Sequence, residues 1–511
     1  MNMIKSLVLG SAAGLIALSG AQAADLPVKA KAVEYVKICS LYGAGFYYIP
    51  GTDTCIKLGG YVRIDTTFNG GAYGGPYYNG DGGQGNRYRD NFYSRSRMAL
   101  TIDTRTATEY GVVRTFGQGD FQFNNFGTSN STTLSTFPAG ASNALMTAGG
   151  GYVAVEMVFI QFAGFTFGKS ASAYATPWNG YPGNNNSYLM GGADYVTGVN
   201  NIQYTAQFGN GVSATIGLDD PTQFNRTAVL NLGVAASATG AGANAYGGTH
   251  APDIVGNIRV DQAWGLFQIS GMAHLVNASY NILGAGGVPT ALSEISGHPE
   301  DKWGGAVMAA LQIKNLPTGA GDDFKIDVSY AKGDTKAVIS TSGASPSFAM
   351  FGNTGVGGAY QSIGFGQTSD AVYVPGGELK LVDAWGVRGA FNHNWDPYWS
   401  TSLWGSYASV RYNGAVGDLT SAKGQWCANY SVGKGAGFTC NPDYNVAQVG
   451  LTTRWTPVKN LTFSAEVGAF FLDQKMSGVA TLAPTAPKPA TVYEFKDQST
   501  VFLNIRAQRN F

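Results

Sequence analysis

The 511-residue chain holds 32 basic and 32 acidic residues, so no broad positive surface points to nucleic acid. Charged residues reach only 13 %, below the roughly 25 % usual in soluble domains, while Gly reaches 72, Tyr 28 and Phe 27. Such a charge-poor, glycine- and aromatic-rich alphabet speaks against a soluble helical bundle and favours a β protein with long loops.

The chain opens on a secretory signal. Lys5 supplies the positive region, Leu7 to Leu18 the apolar run, and Ala21-Gln22-Ala23 a small-residue cleavage site, so 1–23 is expected to be removed. That run is short for a membrane span of about 20 residues, and no later apolar run is long enough. A short N-terminal segment, 24–55, follows. The four cysteines form two local pairs, Cys39 with Cys55 and Cys427 with Cys440. Export places them in an oxidising compartment, where an even count reads as disulfides. A metal site is the competing reading, but neither pair has C-x-x-C spacing or a His nearby.

From Ile56 onward, stretches of period-two alternation pair off, each pair closed by a short turn and separated from the next by a long loop. They are 56–68; 92–104 and 109–123 about a turn near Thr106; 151–161 and 165–169 about Ala163-Gly164; and 201–208 and 212–218 about Asn210-Gly211, a strong hairpin signal. Then come 253–262 and 266–280; 303–313 and 323–332; 378–392 and 399–412; 444–455 and 460–472; and the terminal strand 499–511. In that last strand Val501, Leu503, Ile505 and Ala507 share one face, and Asn504, Arg506 and Gln508 the other. Sixteen strands with short turns at one end and loops of up to some forty residues at the other, as in 333–377, predict a transmembrane antiparallel β-barrel spanning 56–511. Closure also removes the exposed edge that the last strand would otherwise present. Apolar residues would face outer-membrane lipid, and Trp264, Trp303, Trp395, Trp399 and Trp455 near strand ends would form the interfacial girdles.

The opening stretch Val36-Lys-Ile-Cys-Ser-Leu-Tyr-Gly-Ala-Gly-Phe-Tyr-Tyr-Ile-Pro-Gly-Thr-Asp-Thr-Cys-Ile-Lys-Leu-Gly-Gly-Tyr-Val-Arg63 resembles the signature of the alphaproteobacterial, rhizobial and Brucella-type outer-membrane porins. Phe159-Ile-Gln-Phe-Ala-Gly-Phe-Thr-Phe-Gly-Lys169 and the terminal Phe511 are similar as well. The resemblance implies a homotrimer of sixteen-stranded barrels passing small hydrophilic solutes. It implies that Phe511 is the signal read by the barrel-assembly machinery, and that the third external loop, 170–197, folds inward to narrow the pore. Arg63, Arg95, Arg97 and Arg114 fall on polar faces of the first three strands and would form a positive wall opposite that loop, with Asp194 on the loop side.

Two other classes of function compete with this one. An outer-membrane enzyme needs a His with Asp or Ser partners, and no such pattern singles out His250, His274, His298 or His393, so no catalytic residue, metal or cofactor is expected. The long Gly-, Asn- and Tyr-rich loops also suit an adhesin or receptor barrel, or a more solute-selective channel.

Overall fold

The computed structural model describes residues 37–511 except 72, 80–82, 84, 88, 125–150, 223–225, 283–288, 290, 342–346 and 485–487. The expected signal peptide, 1–23, lies outside the described residues.

Sixteen antiparallel strands close on themselves. They are β1 (Cys55–Phe68), β2 (Phe92–Thr108), β3 (Gly111–Asn124), β4 (Tyr152–Phe162), β5 (Phe165–Ser170), β6 (Val199–Gly209), β7 (Val212–Asp219) and β8 (Asp253–Gln262). Then follow β9 (Gly265–Val276), β10 (Lys302–Lys314), β11 (Asp323–Lys332), β12 (Asp383–Asn394), β13 (Trp399–Arg411), β14 (Tyr444–Val458), β15 (Leu461–Gln474) and β16 (Gln498–Asn510). β1 pairs with β2 on one side and with β16 on the other, from Tyr61↔Asn510 to Phe68↔Leu503, so no barrel strand is left as an edge. Among the described residues no helix is long and apolar enough to cross a membrane; crossing is by strands.

The pleat sorts the side chains as the alternation predicts. On β15, Phe463, Val467 and Phe471 are exposed on the outside while Ser464 and Glu466 are buried on the inside; on β11, Val328 and Tyr330 face out and Asp327 and Ser329 in. The five girdle tryptophans are all exposed, and Trp399 stacks on Trp455 with centroids 5.8 Å apart. At the closing seam Phe511 N–H donates to Gly60 O at 3.1 Å and Gly60 N–H to Phe511 O at 3.2 Å. Gly60 is obligatory there, because at φ +148° a Cβ would lie 2.0 Å from Ala99 O.

The differences from expectation are local. β2 runs on to Thr108 rather than turning at Thr106, because Thr104, Arg105 and Thr106 still pair with Thr115, Arg114 and Val113. β12 begins at Asp383, not Glu378: Lys380–Leu381 pairs instead with Ala371–Tyr373 in a small sheet of the external loops. Both disulfides, Cys39–Cys55 and Cys427–Cys440, are present. The first ties the N-terminal segment to β1, and the second fastens the helix Ala422–Tyr430 in an external loop.

Those external loops are not separate. In L4 (220–252) and L6 (333–382), Val229–Asn231 runs parallel to Ala371–Tyr373. A second sheet links Phe348–Gly352 and Gln361–Gly366 of L6 to Thr491–Phe495 and Ser477–Leu482 of L8 (475–497) and Phe438–Thr439 of L7 (412–443). Their apolar side chains, including Phe348, Ile363, Phe365, Trp426, Tyr430 and Tyr493, are fully buried against each other and form a dome over the external mouth.

Candidate functional site: a lumen packed on one side

The third loop, L3 (171–198), leaves β5 and crosses the lumen to lie along the far wall. Asn257 and Gln268 of β8 and β9 donate to the carbonyls of Ala173 and Ala175 at 2.6 and 2.7 Å. Asn392 of β12 and Arg454 of β14 hold the carbonyls of Pro182 and Gly183 at 3.1 and 2.5 Å. At the loop tip Glu466 of β15 accepts the backbone N–H groups of Asn185 and Asn186 at 2.5 and 3.0 Å, the Asn186 amide at 2.7 Å and the Thr452 hydroxyl at 2.6 Å. On the return, Arg388 of β12 pairs with Asp327 of β11 at 2.9 Å and donates to Ala193 O at 2.5 Å. Gly191 permits this close approach: its φ is +103°, and a Cβ would sit 2.7 Å from Val387 O.

L6 enters the lumen as well, which alternation along the chain did not reveal. Gly191 N–H donates to Val338 O at 2.9 Å and Asp194 N–H to Ser340 Oγ at 3.1 Å. Val338 and Ile339 are fully buried among Met190, Tyr174 and Tyr195 of L3 and inward Val255, Met272, Ala306 and Met308. At about 1.5–3 kcal/mol for each buried aliphatic side chain, Val338 and Ile339 together add roughly 3–6 kcal/mol to the packing of L6 against L3 and the wall. Leu189, Trp404 and Phe502 form a second dry cluster under L3. The half of the lumen lined by β8–β15 is therefore packed.

The space left is a cavity of about 710 Å³ between L3 and β1–β4, with Asn179, Ser187, Tyr188, Val196 and Thr197 on the loop side. Arg63, Arg95 and Arg97 stand on its opposite wall. Arg95 is bound to Asp65 at 2.6 Å, and Asp65 is shared with Arg506 of β16, also at 2.6 Å. Arg97 pairs with Asp120 and, at 3.2 Å, with Glu156. Tyr73 lies over Arg95 and Arg97 at 4.7 and 5.7 Å. Arg63 has no carboxylate at salt-bridge distance among the described residues: its Nε donates to Gln508 at 2.7 Å and its plane lies 4.4 Å above the Tyr61 ring. Lys169, at the end of β5, also lines the cavity, its Nζ donating to the carbonyls of Val155 and Glu156 at 2.9 and 2.7 Å.

Arg114 and Asp194 do not join this arrangement. Arg114 faces Arg105 near the turn at the short-loop end, bonded to Asp103 and Gln161. Eight residues separate Arg97 from Arg105, roughly 27 Å along the strand, so Arg114 belongs to the periplasmic mouth. Asp194 is buried behind L3, bonded to Tyr181 and to its own loop through Val196 N–H at 2.9 Å. Its charge faces Lys336 of L6, whose ammonium burial lowers to about 8.

Three of the acids that balance the arginines went unassigned from sequence. Asp65 and Asp120 lie on the polar faces of β1 and β3, but alternation gives no pairing. Glu156 owes its direction to a β-bulge between Gln118 and Gly119 of β3 and their β4 partners, which places Glu156 and Met157 together at the cavity.

The family model described as the porin subfamily matches residues 25–504. The chain belongs to the porin subfamily. The curated relatives include the porin Omp2b of Brucella suis, 35 % identical over 267 residues that cover 51 % of this chain and 64 % of that protein. Omp2b of Brucella abortus (strain 2308) is 35 % identical over 265 residues, covering 51 % and 63 %. The matched region thus spans under two thirds of these relatives' length. The outer-membrane channel DcaP of Acinetobacter baumannii has the same fold, with a TM-score of 0.57 and 14 % identity over 91 % of this chain and 99 % of that one. This porin is an outer-membrane protein that crosses the bilayer as a multi-pass β-barrel.

Proposed function

We propose that the protein is a diffusion channel for small hydrophilic solutes and ions, working as a homotrimer, with the cleft between L3 and β1–β4 as its path. The observation that carries this is the contrast within one lumen: a dry, packed half under L3 and L6, and a half lined by Arg63, Arg95, Arg97, Lys169 and tyrosines. Of the four cations lining the cleft, Arg95 and Arg97 are held by carboxylates, so the ion preference rests mainly on Arg63 and Lys169. Liposomes containing the purified protein test the function: swelling in small sugars supports a channel, and the absence of swelling supports an adhesin or receptor barrel.

Arginine stays charged at working pH, so Arg63→Ala is expected to shift the reversal potential in a salt gradient toward cations. Screening over about 10 Å at 0.1 M salt makes the shift shrink as salt rises. An unchanged potential at low salt would remove Arg63 from the conduction path.

Phe511 closes β16 on Gly60, and its exposed ring is the group we assign to the barrel-assembly machinery. Deleting it is expected to lower the amount of folded protein in the outer membrane several-fold while leaving the conductance of assembled channels unchanged. Equal outer-membrane levels by immunoblot would contradict this.

A further inference from the structure

Where L4 and L6 meet the barrel wall above the constriction, four groups form one continuous chain. Asp253 Oδ1 of β8 lies 2.6 Å from His274 Nδ1 of β9, His274 Nε2 lies 2.9 Å from the Tyr246 hydroxyl of L4, and that hydroxyl lies 2.9 Å from Asp370 Oδ2 of L6. Asp253, His274 and Asp370 are buried to 1 % exposure or less. Asp370 is fully committed as an acceptor, taking the Thr335 N–H at 2.7 Å, the Thr335 hydroxyl at 2.9 Å and the Thr227 N–H at 2.9 Å.

Counting hydrogens decides the state of this chain. Three contacts need three hydrogens; a neutral imidazole brings one, a phenol one, and two carboxylates none. Because Asp370 only accepts, the Tyr246 hydrogen goes to it, and the Tyr246 oxygen must accept from His274 Nε2–H. His274 Nδ1 then faces the Asp253 carboxylate, so Nδ1 carries a further proton and donates it there. The folded chain holds one proton more than a neutral histidine between two carboxylates supplies.

We propose that Asp253–His274–Tyr246–Asp370 is a proton-loaded clasp that fastens L4 and L6 to the barrel wall, and that loss of its extra proton at alkaline pH releases both loops. The charged neighbours reinforce the sign. Asp219 of β7 and Asp334 and Lys336 of L6 surround the chain, with Tyr195 of L3, and Arg226 of L4 lies 4.2 Å above the Tyr246 ring. Burial holds the Asp334 carboxyl well above the usual carboxylate range, which leaves Arg226, Lys336 and the chain's own proton to offset the remaining carboxylates. The Lys336 ammonium, lowered to about 8 by burial, gives up its charge over the same alkaline range. Removing the proton sets two acceptors face to face and adds negative charge to a dry site, so the clasp holds at neutral pH and weakens as pH rises.

The test uses the full chain in detergent, with its four histidines labelled with nitrogen-15 and His274 assigned by its loss in His274→Gln. The His274 ring is expected to be doubly protonated at pH 8. Subtilisin cleavage within 226–252 and 333–382 is expected to be at least ten-fold faster at pH 10.5 than at pH 8, normalised to an unfolded substrate. Tyr246→Phe keeps the ring packing and breaks the chain, so His274 becomes neutral at pH 8 and loop cleavage is fast at both pH values. Heat-modifiable migration on gels reports whether each barrel is folded. A singly protonated His274 in the native protein at pH 8 overturns the proposal, as does native cleavage that shows no dependence on pH.

Discussion

Replacing Glu466 by Ala is expected to free the tip of L3, raise the single-channel conductance and add rapid current fluctuations. Glu466 is fully buried, and its two oxygens receive four donors, two of them the backbone N–H groups of Asn185 and Asn186. A backbone donor left without a partner in a dry site costs about 1–3 kcal/mol, so the pair costs roughly 2–6 kcal/mol in the closed position. The tip recovers this by moving into the lumen water and opening the cleft. Glu466→Gln rescues it only in part, because the amide keeps one accepting oxygen for two of the four donors and turns an NH2 donor toward the other two. Arg454 and Arg506 still hold the carbonyls of Gly183 and Asn185, so the loop loosens at its tip first. Planar-bilayer recordings decide: an unchanged conductance would show that the tip is held without Glu466.

The largest loss of stability is expected at Arg388. Arg388 and Asp327 are both completely buried, and the guanidinium also carries Ala193 O of L3. Arg388→Ala leaves an uncompensated carboxylate in the packed half of the lumen, a change that costs about 3–5 kcal/mol. Arg388→Lys recovers little, since a compact ammonium cannot serve Asp327 through one nitrogen and Ala193 O through another. The double replacement Arg388→Met with Asp327→Leu removes both charges and is expected to regain most of the loss. Urea unfolding followed by heat-modifiable migration measures each step; equal stability of Arg388→Ala and the native protein would contradict the account.

The barrel was readable from the sequence because lipid outside and water or polar side chains inside impose a period of two on every strand. Asp253–Gln262 and Asp323–Lys332 have the bounds that alternation predicts. The dome and the inward fold of L6 were not readable: Val338 meets Gly191, and Phe348 meets Tyr444, across distances in sequence that carry no period. At the constriction, alternation put Arg63, Arg95, Arg97 and Arg114 on the inner face. It says nothing of depth, and Arg114, three residues past the turn, sits at the other end of the pore. Nor does it reveal partners, so the wall looked more positive than Asp65, Asp120 and Glu156 leave it. His274 was visible as a polar-face histidine, but its partners Asp253 and Tyr246 lie on another strand and in a loop.

On the proposed path solutes pass only between L3 and β1–β4, and the accessibility of introduced thiols distinguishes that path from the packed half. No free cysteine exists among the described residues, and the four cysteines of the chain form the two disulfides, so an introduced thiol reacts alone. Ser187→Cys lines the cleft, whereas Ala310→Cys lies inside β10 in the packed half at 1 % exposure. With a charged methanethiosulfonate, Ser187→Cys is predicted to react in the folded channel and lose at least half its current, and Ala310→Cys to react only after unfolding. Rapid modification of folded Ala310→Cys with loss of current, while modified Ser187→Cys conducts as before, would contradict the account.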